Sequence, residues 1–254
     1  MKRSPLSWAL YDWANSAFAV VVLAGFYPVF FREFWADGEP SARITFYLGL
    51  ANALASLAIV LLAPTLGAIA DRGGFRKKFL ALFAFTGILM TFGLGWVAAG
   101  HWPMALLLFI AGSIGFMGAN VFYDSLLVDA CEPDRYEFLS GLGYGLGYLG
   151  SGLLFAGCVY ATQNPSVFGL TNAGEAVRYS FMITAIWWAV FSIPLLLFVR
   201  ESKPTKSLTL GQSAIAGFAQ LAATFHRVRQ LRHIWIFLLA YWLYIDGVDT
   251  VIRM

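Results

Sequence analysis

Seven stretches of this sequence run for about 20 residues or more with at most two charged side chains each. They are Trp8–Phe31, Ile44–Ala70, Phe79–Ala99, Met104–Ala130, Gly141–Thr162, Arg178–Val199 and Ile234–Ile252. An α-helix rises about 1.5 Å per residue and the hydrocarbon layer of a bilayer is about 30 Å thick, so each stretch is long enough to cross it. Within that layer no water satisfies backbone N–H and C=O groups, and unbroken apolar runs of this length predict helices. A soluble chain of 254 residues would need a polar skin. Fourteen acids and seventeen bases, 12% of the residues against about 25% in a soluble domain, do not supply one. Lys2 and Arg3 ahead of the first run imitate a secretory signal. That run is too long for one, carries Asp12 and Asn15, and is followed by further spans. The chain reads as an all-α, multi-pass membrane protein.

The placement of Lys and Arg sets an orientation. With the N-terminus inside, the inner segments hold Lys2, Arg3, Arg72, Arg76, Lys77, Lys78, Arg135, Arg200, Lys203, Lys206, Arg227, Arg229 and Arg232, thirteen in all. The outer side holds four, Arg32, Arg43, Arg178 and Arg253. Inner loops are the ones enriched in Lys and Arg, so the N-terminus is expected in the cytoplasm and the chain in a bacterial inner membrane. A net charge of +3 gives no ground for nucleic acid as a partner; the lipid bilayer is the partner that composition demands. Cys131 and Cys158 have no metal-ligand spacing, and no metal or cofactor is expected.

The longest connection divides six spans from a seventh. This gives a six-helix bundle over residues 1–199, a linker over 200–233 and a further helix over 234–254. The linker opens polar and proline-containing at Glu201–Lys206, then places Ile215, Phe218, Ala222, Phe225 and Val228 at steps of three to four residues. Arg227, Arg229 and Arg232 close it. An amphipathic helix on the inner leaflet and a flexible tether both fit. Spans 1 and 7 also echo one another. Aligning Asp12 with Asp246 places Asn15 on Asp249 and Ser16 on Thr250, as expected of a carrier built from two similar halves.

Polar groups inside spans are costly and turn towards protein or water, so they are the candidates for a solute pathway. Asp12 and Asn15 lie three residues apart and share a face of span 1. Span 4 gathers Asn120, Tyr123 and Asp124, and span 7 carries Tyr244, Asp246 and Asp249, with Asp246 about 18 Å along the helix from Ile234. On span 5, Tyr144 and Tyr148 share a face and either contact solute or fill gaps between helices. Gly143, Gly147 and Ser151 step by four beside them, which lets another backbone come close. Gly145 to Gly150 satisfies GxGxxG, but no strand precedes it, so a dinucleotide site is excluded. Span 4 has no Arg or Lys; if a proton is coupled to movement, a carboxylate such as Asp12 or Asp246 carries it.

Between spans 2 and 3 the chain reads Gly67-Ala68-Ile69-Ala70-Asp71-Arg72-Gly73-Gly74-Phe75-Arg76-Lys77-Lys78. Gly73 and Gly74 permit a tight reversal, and Asp71 is within reach of Arg72 or Arg76. The segment resembles the signature loop of the major facilitator superfamily, with Phe75 where a basic residue is usual. The resemblance implies a six-helix N-terminal bundle followed by a second one, of which this chain holds the first helix. It also implies a central cavity lined by spans 1, 4 and 7, and a latch that opens during alternating access. Gly67, Asp71, Arg72, Gly74, Arg76 and Lys77 fall in that latch. Asp129 joins the same charged region, with either Arg135 or the Arg72–Arg76 loop as its partner.

Three further segments, Tyr11–Ala19, Ser140–Gly150 and Leu239–Val248, resemble signatures of the vacuolar amino-acid effluxer (autophagy-related) family and its bacterial relatives. Ile245 and Asp249 stand where an amide-type residue is expected. That resemblance implies a secondary transporter moving a small organic solute, such as an amino acid, across a membrane. On this reading the chain needs a missing C-terminal half or a second copy. Two rivals are a membrane-embedded enzyme and a scaffold or channel subunit. The first lacks HExxH, GxSxG or any close His–acid cluster within a span, and the second has no use for a latch.

Overall fold

The computed structural model describes residues 3–202, residues 212, 215, 219 and 223, and residues 232–253. The expected linker helix therefore lies almost wholly outside the described residues. All regular structure among them is helical. In chain order the helices are α1 (Ser4–Trp35), α2 (Ser41–Gly73), α3 (Arg76–Leu94), α4 (Trp102–Ser125), α5 (Tyr136–Gln163), α6 (Ala173–Phe198) and α7 (Arg232–Arg253). The first six are long and apolar enough to cross a membrane. The seventh run is a helix of the expected extent, and His233–Ile245 within it is apolar.

The chain divides into two compact units, Met1–Ala63 with Arg76–Lys203 and Pro64–Phe75 with Pro204–Met254. In the first, α1 is central and packs along α5 and α6, while α3 bridges α4 and α6. Aromatic side chains fill the seams. Tyr27 of α1 stacks on Phe109 of α4 with ring centroids 3.9 Å apart, and its hydroxyl donates to the Ala105 carbonyl at 3.1 Å. Trp35 donates to the Val97 carbonyl at 3.2 Å, and Trp187 of α6 to that of Trp13 at 3.0 Å. These three rings thus place their polar atoms on backbone acceptors, as an apolar surrounding demands. Gly115 of α4 lies against Gly87 of α3 so closely that a Cβ would stand 2.6 Å from the Gly87 Cα.

Helix ends explain where the runs mislead. The capping residue Asn172 accepts from the Glu175 N–H at 2.9 Å, while Glu175 accepts from the Thr171 N–H at 2.7 Å. This reciprocal box starts α6 at Ala173, one turn before the apolar run begins at Arg178. At the end of α3, Arg178 donates Nε–H to the Gly95 carbonyl at 2.7 Å and the chain turns away, so α3 stops at Leu94 short of Ala99. Span 4 breaks at Leu126, and Leu127–Ala130 forms a separate single turn carrying Asp129. α1 begins as ordinary α-helix over Arg3–Ala17 and is then wound as π-helix at Phe18–Phe26 and Phe31–Trp35.

Candidate functional site

Four positions on one side of α1, Trp8, Asp12, Asn15 and Ser16, face a cavity of about 470 Å³. Helix α4 contributes Phe116, Asn120, Tyr123 and Asp124, and α5 contributes Ser140 and Tyr144. The glycine steps of α5 bring these helices together. A Cβ on Gly143 would lie 3.0 Å from Asp12 Oδ2 and 3.1 Å from Tyr123 Oη; one on Gly147 would lie 2.7 Å from Ser16 Oγ. Trp8 holds Tyr123 in place from the other side. Their rings stack with centroids 4.3 Å apart, and Trp8 Nε1–H donates to the Tyr123 carbonyl at 3.0 Å.

Asn15 Nδ2 donates to Asn120 Oδ1, joining α1 to α4 across the cavity wall. Asn15 is 1% exposed, and its Oδ1 is buried without a hydrogen-bond partner. The hydroxyls of Tyr123 and Ser16 approach the Asp12 carboxylate, that of Tyr123 without reaching hydrogen-bonding geometry. No Lys, Arg or His is among the lining residues. The arrangement offers several acceptors in a small polar chamber walled by aromatic rings.

The sequence candidates divide accordingly. Asp12, Asn15, Asn120, Tyr123, Asp124 and Tyr144 come together in this one cavity. Tyr144 is exposed at its rim, whereas Tyr148, one turn further along α5 and 77% exposed, is not part of the lining. Neither tyrosine fills a gap within the bundle. Tyr244 is exposed on α7; the side chains of Asp246 and Asp249 lie outside the described residues.

A charged knot forms where α3 begins. Arg76 pairs with Asp129 at 3.3 Å and reaches the Ser125 carbonyl at 3.4 Å. Of the two partners expected for Asp129, the one the structure joins to it is Arg76; Arg135 is exposed at the start of α5. The Glu201 carboxylate accepts from the N–H groups of Arg76 and Lys77 at 2.8 and 3.2 Å, capping α3, and Lys77 Nζ donates to the Val199 carbonyl at 2.9 Å. Ser202 donates its N–H and its hydroxyl to Asp129. In the other unit, Gly74 has φ +67° and closes α2, with the N–H groups of Gly74 and Phe75 both directed at the Ala70 carbonyl. Asp71 and Arg72 sit in the last turn of α2, and a Cβ on Gly67 would meet nothing within 4 Å.

A family model described as vacuole effluxer Atg22-like matches residues 1–134 and 129–254. The chain belongs to this family. It is 39% identical over 252 residues to the uncharacterized MFS-type transporter YxiO of Bacillus subtilis (strain 168), an alignment covering 98% of this chain and 58% of that protein. It is 24% identical over 356 positions to autophagy-related protein 22 of Coccidioides immitis (strain RS), again covering 98% of this chain and 58% of the relative. The chain thus spans 58% of the length of these two relatives. No solved structure matches it.

For a member of the Atg22-like family, two groups of residues escaped the sequence reading. Trp8 and Ser16 lie one turn either side of Asp12, so helical spacing alone could have added them to the cavity. Glu201 and Ser202 gave no such signal. Their partners are 125 and 73 positions away, and a Glu after a span reads as a solvated acid until the fold brings it to a helix N-terminus.

Proposed function

We propose that this chain is the N-terminal part of a secondary transporter that moves a small organic solute across a membrane by alternating access. The observation that carries the reading is the convergence of Asp12, Asn15, Asn120, Tyr123 and Asp124 on one cavity between spanning helices. Side chains of this kind are expensive in hydrocarbon and persist where water or solute meets them. The domain division is a bundle over 1–199, a linker over 200–233 and the first helix of a second bundle from 234, with the N-terminus in the cytoplasm. Gly67, Asp71, Arg72, Gly74, Arg76, Lys77, Asp129 and Arg135 belong to the cytoplasmic latch. Glu201 and Ser202 belong to it as well, because they bind its Arg76–Asp129 pair to the start of the linker. Opening this end requires breaking that pair and uncapping α3.

Reconstituted into liposomes preloaded with candidate amines and amino acids, the protein should exchange labelled solute in a saturable, solute-selective way. Asp12→Leu should abolish the exchange while the variant still folds. Exchange that is absent for every solute, or unaffected by Asp12→Leu, would refute the proposal.

A further inference from the structure

From the cavity between α1, α4 and α5 we infer the chemical class of the solute: it carries a protonated amine, which this half of the site holds, while no cation on this lining answers a carboxylate. The inference rests on the transport reading only for what becomes of the solute after it binds. Asp12 and Asp124 place two carboxylates on the same lining, with no Lys, Arg or His among the lining residues to answer them. The neighbouring cation Arg76 is engaged by Asp129 and the Ser125 carbonyl. A second observation is independent of the acids. Asn15, 1% exposed and part of the lining, keeps Oδ1 buried without a partner while its Nδ2 is bound to Asn120. A buried acceptor in that position is costly unless a donor arrives.

The cavity therefore presents two carboxylates, with an orphan amide oxygen buried in its wall. An ammonium group supplies three N–H donors and one positive charge, which suit acceptors of this kind. A carboxylate brings further acceptors and like charge beside Asp12 and Asp124, whose repulsion disfavours it. The faces of Phe116 and Tyr144 add surfaces on which a cation is favoured.

The test is calorimetric titration of the full chain in lipid nanodiscs, in sodium-free buffer, with three probes of matched shape. They are 2-phenylethylamine (ammonium only), L-phenylalanine (zwitterion) and 3-phenylpropanoate (carboxylate only). The amine should bind about tenfold or more tightly than the propanoate, with the zwitterion between them. Asp12→Asn and Asp124→Asn should each weaken the amine by about tenfold, the scale of losing one charge-assisted hydrogen bond, and should not weaken the propanoate. Thermal melts of both variants check that they fold. Propanoate binding as tight as amine binding, amine binding indifferent to both substitutions, or binding of none of the probes would overturn the assignment. Counterflow of the same probes separates the two readings. Asp12-dependent amine binding without counterflow keeps this inference and removes transport; Asp12-dependent counterflow of the propanoate with no binding of the amine does the reverse.

Discussion

Two hollows lie along α5. Its first half, with α1 and α4, encloses the polar cavity of about 470 Å³; its second half, with α6 and the connection between them, lines a larger groove of about 740 Å³. The groove is apolar, built from Leu153, Leu154, Gly157, Ala161, Ile183 and their neighbours. Two of its polar groups are engaged locally. The Ser180 hydroxyl donates to the Ala176 carbonyl at 2.8 Å, and Glu175 is held by Thr171. In the cavity, by contrast, Asn15 Oδ1 has no partner among the described residues, and Asp12 and Asp124 share the lining with no cation. Size alone does not tell them apart in chemistry. What separates them is the presence of polar groups that their own helices do not satisfy, since hydrocarbon chains can fill the groove but cannot answer a carboxylate.

The contrast can be broken at α5 itself. Gly147→Leu on the cavity side forces a side chain onto Ser16, where even a Cβ would lie 2.7 Å from Oγ. It should cost about 3 kcal/mol or more in thermal unfolding of the solubilised protein. Gly157→Leu, which faces the groove with nothing within 4 Å of a Cβ, should be neutral or slightly stabilising. Equal losses at both positions would mean that the two sides of α5 are packed alike.

The role of engaged charges is sharpened by Arg76→Ala. It strands the Asp129 carboxylate, whose side chain is 2% exposed, and should cost about 2–3 kcal/mol by the same melt. Arg43→Ala removes an exposed i,i+4 pair with Glu39 and should cost less than about 0.5 kcal/mol. A smaller effect belongs to the amide pair. Asn15→Leu and Asn120→Leu should each cost about 1–2 kcal/mol, and the double variant about 1 kcal/mol less than their sum, because the second change no longer strands a partner. Strict additivity would show that the two amides do not act together. Least of all, Ser180→Ala in the groove should stay within about 0.5 kcal/mol, its hydroxyl being bound only to its own helix.

The spans were legible because the bilayer imposes a length that composition cannot hide, and the cavity was partly legible for a related reason. Asp12 and Asn15 had to share a face once their run was helical, and Asn120 and Asp124 stand one turn apart. That these pairs meet was not legible. The Asn15–Asn120 bond joins residues 105 positions apart, and nothing local specifies it. Nor could spacing distinguish Tyr144, at the cavity rim, from Tyr148, outside it, since both occupy one face of the same helix. Helix limits failed where tertiary groups rather than hydropathy decide them, as with the Asn172–Glu175 box that lengthens α6 and the Arg178 side chain that ends α3.

The widened winding of α1 has a mechanical corollary. Over Phe18–Phe26 and Phe31–Trp35 each amide reaches back five positions rather than four, as Tyr27 does to Val22 and Ala36 to Phe31. Such turns carry slack that an ordinary helix lacks. Rewinding them swaps each amide from one carbonyl to its neighbour, so the segment bearing Tyr27 and Trp35 swivels about the axis relative to the segment bearing Asp12. Torsion generated at one end of α1 is then absorbed inside that single rod, like a screw thread taking up play, without severing its backbone ladder.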